Sequence, residues 1–275
     1  MNLDIGHMLN DWEFDPDEFH ARQIKGKDGV EKIQIRIDMG ILQLEMAGRP
    51  DGQRPHGFAS LLEYYEEMVE THELDAETGE PFLLEGEECE ALFQEAWQYY
   101  HRYLSLFYLE DYDGVVEDTE HTLRIFNLVQ TYADNEDDKW YFEQYYPHAV
   151  MMQARGLAMK ALDKELYAVA LEQVRKGIVR IEQFIEDWED ELLEEDLPEL
   201  AFLNDWYEEL EKERPLSQEE QLERDLVTAV EAENFEEAAR LRDKLKTIKP
   251  RSRQGFSKPE FLRRRPGSPP DSAIT

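Results

Sequence analysis

The stretch YAVALEQVRKGIVRIEQFIEDW, residues 167–188, decides the fold class. Its residues Tyr167, Ala170, Leu171, Val174, Ile178, Ile181, Ile185 and Trp188 recur at helical spacing and form one continuous apolar stripe. Working outward, Leu61, Leu62, Tyr65, Met68 and Val69 form a similar stripe. So do Leu92, Ala96, Tyr99, Tyr103, Leu106 and Phe107. Pro147 starts or kinks a further helix through Met151, Met152 and Met159. The aromatic run Trp140, Tyr141, Phe142, Tyr145 and Tyr146 reads as core between long helices, with a binding groove as the alternative. Residues 58–212 are therefore expected to be a helical domain.

Two short stretches in this region share a design, EDYDGVV (Glu110–Val116) and KELYAVA (Lys164–Ala170). Each ends a helix, presents an aromatic residue (Tyr112, Tyr167) and places a smaller one three positions later (Val115, Ala170). Around the second, Leu157, Ala158, Val174 and Gly177 occupy apolar and small positions. These turns resemble the turn between the two helices of a tetratricopeptide repeat. They lie 55 residues apart (167 − 112), against a period of about 34 for that repeat. The resemblance implies TPR-like helix pairs rather than a regular array, with a surface suited to binding a peptide or protein.

Residues 1–57 read differently. Ile33, Ile35 and Ile37 alternate with Gln34, Arg36 and Asp38, the period of a half-buried strand. Arg22–Lys25 precedes them across the turn Gly26-Lys27-Asp28-Gly29, and Ile41–Met46 follows. A three-stranded antiparallel meander docked on helices is expected, since so small a sheet needs support on one face. The next segment, GRPDGQRPHG (Gly48–Gly57), is polar and rich in turns. Its Arg49, Arg54 and His56 are candidates for an anion-binding loop, against the plainer reading of stiff turns with solvated side chains.

Near the end of the chain, Ser217 with Glu220 and Asn234 with Glu237 have the spacing of helix caps. Between and after them run two apolar stripes, Leu222, Leu226, Ala229, Val230 and Phe235, Ala238, Leu241, Leu245, Ile248. The second helix is expected to bury its whole stripe, Phe235 included, with Ala238 and Ala239 permitting close approach. The product is an α-hairpin of about 32 residues, short for independent folding without a partner surface. The segment LERDLVTAVEAENFEEAARLRDKLKTI, Leu222–Ile248, resembles the UVR motif of the UvrB and UvrC excision-repair proteins. That resemblance implies a hairpin that mediates protein–protein contact, with another UVR-motif protein or with a second copy. Phe235, Arg242 and Asp243 match the motif and are its interface candidates, with Glu236, Ala239 and Leu226 beside them. It carries over no helicase core, nuclease domain or cysteine-rich zinc site. The whole chain also resembles bacterial proteins that contain this motif, which supplies no reaction.

Charge divides the chain. It has 64 Asp and Glu against 30 Lys and Arg, a net charge of −34. Residues 249–275 hold seven of those bases and two acids, so this Pro-rich segment is +5 and the rest is −39. The acidic part disfavours nucleic acid as its ligand, whereas the basic tail, expected to be disordered, could reach an acidic partner or DNA. Five Trp, 13 Tyr and 13 Phe argue for folded structure elsewhere.

The one cysteine, Cys89, stands between Glu88 and Glu90, which disfavours a thiolate nucleophile. A single cysteine, no secretory signal and no apolar run of membrane-spanning length lead us to expect a cytoplasmic protein with no membrane contact. No HExxH, P-loop, GxGxxG or GxSxG occurs, so neither metal nor cofactor is expected. The expected fold is mainly α, a TPR-like helical-hairpin body between the β meander and the C-terminal hairpin. The expected function is a non-enzymatic adaptor or regulator. The alternatives are an accessory factor in excision repair that touches DNA through the tail, and an enzyme acting on an anionic substrate at the 48–57 loop.

Overall fold

The computed structural model describes residues 4–74, 81–188, 197–216 and 218–248. The chain divides into two units, 1–214 and 215–275. The first begins with a short helix α1 (Gly6–Asn10) and the strands β1 (Ala21–Lys25), β2 (Glu31–Ile37) and β3 (Gly40–Glu45). After a 3-10 turn (Pro55–Gly57) come α2 (Leu61–Leu74), α3 (Gly86–Tyr108), α4 (Tyr112–Tyr132), α5 (Glu136–Glu143), α6 (Tyr146–Leu162), α7 (Tyr167–Asp187) and α8 (Pro198–Glu213). The second unit holds α9 (Gln218–Glu231) and α10 (Phe235–Ile248).

The strands form the expected antiparallel meander, ordered β1-β2-β3, with Ile33 opposite Gln23 and Leu44. Gly29 adopts φ 81°, and the Asp28 carboxylate accepts from the Val30 amide, which closes the first hairpin. Ile33, Ile35 and Leu44 are buried against Leu106 and Val115, so the sheet rests on the turn between α3 and α4. Ile37, at the strand end, is exposed rather than continuing this face. On the other face Gln34 is buried, accepting from Arg22 and donating to Gln43.

The helical core follows the stripes. Ala170, Leu171, Val174, Ile178 and Ile181 of α7 are buried against α6, with Leu203 and Leu210 of α8 closing the layer. Gly177 is required at the α6–α7 contact. A Cβ there would stand 2.7 Å from the Ala154 methyl. The aromatic run splits: Phe142 is core, whereas Tyr141 and Tyr145 are exposed, and so is Met68 on α2. The open end of the α3–α4 hairpin is tied by backbone. The Leu84 amide donates to the Tyr132 carbonyl at 2.8 Å, and the Asp134 amide donates to the Leu84 carbonyl at 3.2 Å.

Three helix pairs, α3–α4, α6–α7 and α9–α10, turn in the same way. The amides of Asp111, Leu166 and Asn234 donate to the carbonyls of Leu106, Ala161 and Ala229 at 2.8–2.9 Å. These are the long bonds of a Schellman motif, and the left-handed residue is a glutamate each time: Glu110, Glu165 and Glu233, at φ 62°, 57° and 54°. Two residues on, the next helix opens with an aromatic: Tyr112, Tyr167 and Phe235. Three further on, Val115, Ala170 and Ala238 are buried. The design read in two turns thus recurs in the C-terminal hairpin. Short α5 stands in the chain between the first two pairs, so they form no regular array.

Candidate functional site

The second unit is a hairpin with a minimal core. Ala229, Ala238 and Leu241 are buried together, with Leu222 and Leu226 half-buried against them. Small alanines let the two helices approach but bury little area, so this core is slight. Asn234 caps α10, its side chain accepting from the Glu237 amide at 3.2 Å. Ser217 and the tail 249–275 lie outside the described residues.

Phe235 departs from the expectation: it is 70 % exposed. As the first residue of α10 it stands at the turn, where no further turn of α9 lies across from it. Val227 and Val230 of α9 are also more than half or half exposed, at 57 % and 50 %, so Val230 too leaves the expected buried stripe. At the equivalent turn position in the first unit, Tyr112 is only 8 % exposed and packs against Phe107.

The other interface candidates separate by face. Ala238, Leu241 and Leu245 recur at i, i+3, i+7 and face the hairpin core. Phe235, Ala239 and Arg242 recur at i, i+4, i+7 and share an exposed stripe, flanked by Glu236 and Asp243. Arg242 donates to Asp243 at 3.3 Å, and Lys246 donates to the same carboxylate at 3.4 Å. The Arg242 hydrogen bond, then its charge, hold the Asp243 carboxyl below the usual carboxylate range. Leu226 belongs to the hairpin core rather than to this stripe. The two helices differ in charge, α9 with five acids and one base, α10 with three acids and four bases.

The 48–57 loop does not present Arg49, Arg54 and His56 as a trio. Arg49 lies 3.4 Å from Glu95 and 3.3 Å from Asp51, and its side chain is nearly buried. Arg54 and His56 are exposed, and the His56 ring stacks on Tyr64 at 4.1 Å with a backbone φ of 52°. Glu95 itself is 0 % exposed. It accepts from the amides of Leu61 and Leu62 at 2.7 and 3.1 Å, which caps α2, and from the His121 Nε2 at 3.1 Å. Beside it, buried Arg102 pairs with Asp118 through two nitrogens, at 2.7 and 2.8 Å. The same guanidinium donates to the carbonyls of Glu45 and Gly48 at 3.1 and 2.6 Å.

This network fastens the loop to α3 and α4. Every oxygen of its two carboxylates already accepts from a neighbour, so its chemistry is that of a clamp. Sequence reasoning missed it, although a signal was present: Glu95 and Arg102 lie within the apolar stripe of α3, where a charged residue must find a buried partner.

Cys89 is buried, and desolvation, followed by the charge of Asp138, pushes its thiol up to about 11, so it is no thiolate. Among the described residues no group of three or more His, Cys, Asp or Glu is placed to hold a metal ion, and no helix is long and apolar enough to cross a membrane. An open aromatic groove of about 480 Å³, lined by Phe93, Trp97, Tyr141 and Tyr145, lies along α3 and α5. Phe93 and Trp97 gave no sequence signal beyond helical spacing.

Comparison with curated proteins and with solved structures gave no match. Comparison with protein families matched residues 220–249 to the UvrB/uvrC motif, so the chain carries that motif on the hairpin of α9 and α10.

Proposed function

We propose that this protein is a non-enzymatic adaptor or regulator that recruits a protein partner through the α9–α10 hairpin. The partner is a second helical hairpin, from another UVR-motif protein or from a second copy of this chain. The observation that carries the reading is the exposure of Phe235. The first unit covers the aromatic of its α3–α4 turn, and the hairpin leaves the same position open, as it leaves Val227 and Val230 of α9.

Docking would bury these three side chains and complete a four-helix contact that the small alanine core cannot supply alone. The acidic α9 and the more basic α10 would face their opposites in an antiparallel pairing of two hairpins. The helical surface of the first unit, with its aromatic groove, would then be free to hold another protein.

The test is capture of partners by the full chain carrying Phe235→Ala or Arg242→Ala, with self-association followed by light scattering. Phe235→Ala is expected to weaken capture by more than ~10-fold while leaving the circular dichroism unchanged. Equal capture by both variants and the parent would restrict the hairpin to a structural role. The +5 tail supports the second reading, an accessory factor in excision repair that touches DNA. Its test is DNA binding by the full chain and by a chain ending at Ile248 in low salt, and no binding by the full chain would sink it. Catalysis at the 48–57 loop draws less support, because Arg49 is spent on Glu95.

A further inference from the structure

In the first unit, α4, α5, α6 and α7 surround an open cavity of about 600 Å³. Its most unusual lining group is Glu143, at the end of α5, which is only 7 % exposed. The carboxylate has no hydrogen-bond partner and no ion pair among the described residues. Its oxygens are not sealed off but open into the cavity, and a side chain this far buried with no protein partner for its carboxyl is costly to keep.

The surroundings define what it lacks. Among the described residues that line it, Glu136, which pairs with Lys139 at 2.7 Å, and Asp187 are the other two acids. The one cation among the described lining residues, Arg180, is already committed: it donates to the Tyr146 hydroxyl at 3.2 Å and to Gln153 at 2.6 Å. One wall is aromatic. Tyr146 stacks on Phe184 at 5.5 Å, and Phe184 meets Trp188 at 6.4 Å. Carboxylates and ring faces lining one cavity are the two features that recognise an organic cation.

We propose that this cavity binds an ammonium or guanidinium group, with Glu143 as its ion-pair partner and the Tyr146–Phe184–Trp188 wall against its alkyl portion. The cation would come from a free polyamine or from a Lys or Arg side chain of another protein. Burial raises the Glu143 carboxyl to about 7, so near neutral pH much of it is protonated in the empty site. An entering cation favours the ionised form, and the displaced proton goes to solvent, so binding and proton release are coupled.

The experiment is calorimetric titration of the full chain near pH 7 in two buffers of different ionisation enthalpy. The probes are spermidine for the free amine and N-acetyl-lysine-methylamide for the side chain, at ~0.15 M salt to screen the acidic surface. Binding of one probe at one equivalent, with a Kd of ~1 mM or tighter, is expected. It should come with proton release and be weakened at least ~10-fold by Glu143→Gln. Which probe binds tighter separates the two sources. No binding of either probe would overturn the proposal. So would equal binding by Glu143→Gln, or an equal loss in the exposed control Glu182→Gln, which would mean diffuse attraction to the surface. Glu143→Gln is isosteric and removes a buried charge, so it is expected to fold.

Discussion

Two buried glutamates have opposite circumstances. Glu95 is saturated by two amides, a histidine and an arginine. Replacing it by alanine takes from Arg49 one of its two ion-pair partners and from the start of α2 its acceptor. Glu95→Ala is expected to destabilise the first unit by about 3 kcal/mol, measured by urea unfolding. Glu143 has no partner, and its carboxyl is raised to about 7 by burial, well above its unfolded value. In the window between the unfolded and folded values, the folded state holds a proton that the unfolded state has lost, so stability falls as pH rises. The fall from about pH 5 to about pH 8 should be on the order of 3 kcal/mol and be nearly absent in Glu143→Gln. Neither role could be read by counting, because 64 acids make any pair plausible. Glu95 was legible only as a charge inside an apolar stripe, and Glu143 only once α5 was placed beside α7.

At the scale of elements, periodicity carried the helices and the meander, because amphipathic stripes at least 14 residues long leave little choice of period. It failed at element ends. Phe235 and Val230 continue apolar stripes in sequence but sit at a turn, where a stripe no longer implies a neighbour. The left-handed glutamates were equally hidden, since the sequence offers no glycine where the Schellman geometry favours one. Glu165→Gly is therefore expected to stabilise the chain by about 0.5–1 kcal/mol, read from the urea midpoint. Gly177→Ala should act the other way. Alanine is the better helix former, yet its methyl would press on Ala154, and a loss of about 1–3 kcal/mol is expected.

At the scale of the whole molecule, charge sets the response to solvent. A net charge of −39 over residues 1–248 repels itself, and dissolved ions screen that repulsion. Thermal unfolding by circular dichroism should shift upward by ~3 °C between low salt and ~0.15 M salt, equivalent to about 1 kcal/mol. So acidic a composition is compatible with packing over the described residues because the acids lie outside the stripes, apart from the few that are paired or buried. The Arg102 guanidinium grips the Glu45 and Gly48 carbonyls from 57 and 54 residues further along the chain. A ribosome makes the strands first and their fastening later. Until α3 and α4 have both emerged and closed on each other, the finished β-meander has nothing to hold it. Strands made before their fastening are consequently among the last parts to mature, and a chain stalled after α2 would present them bare to the cell's quality-control machinery.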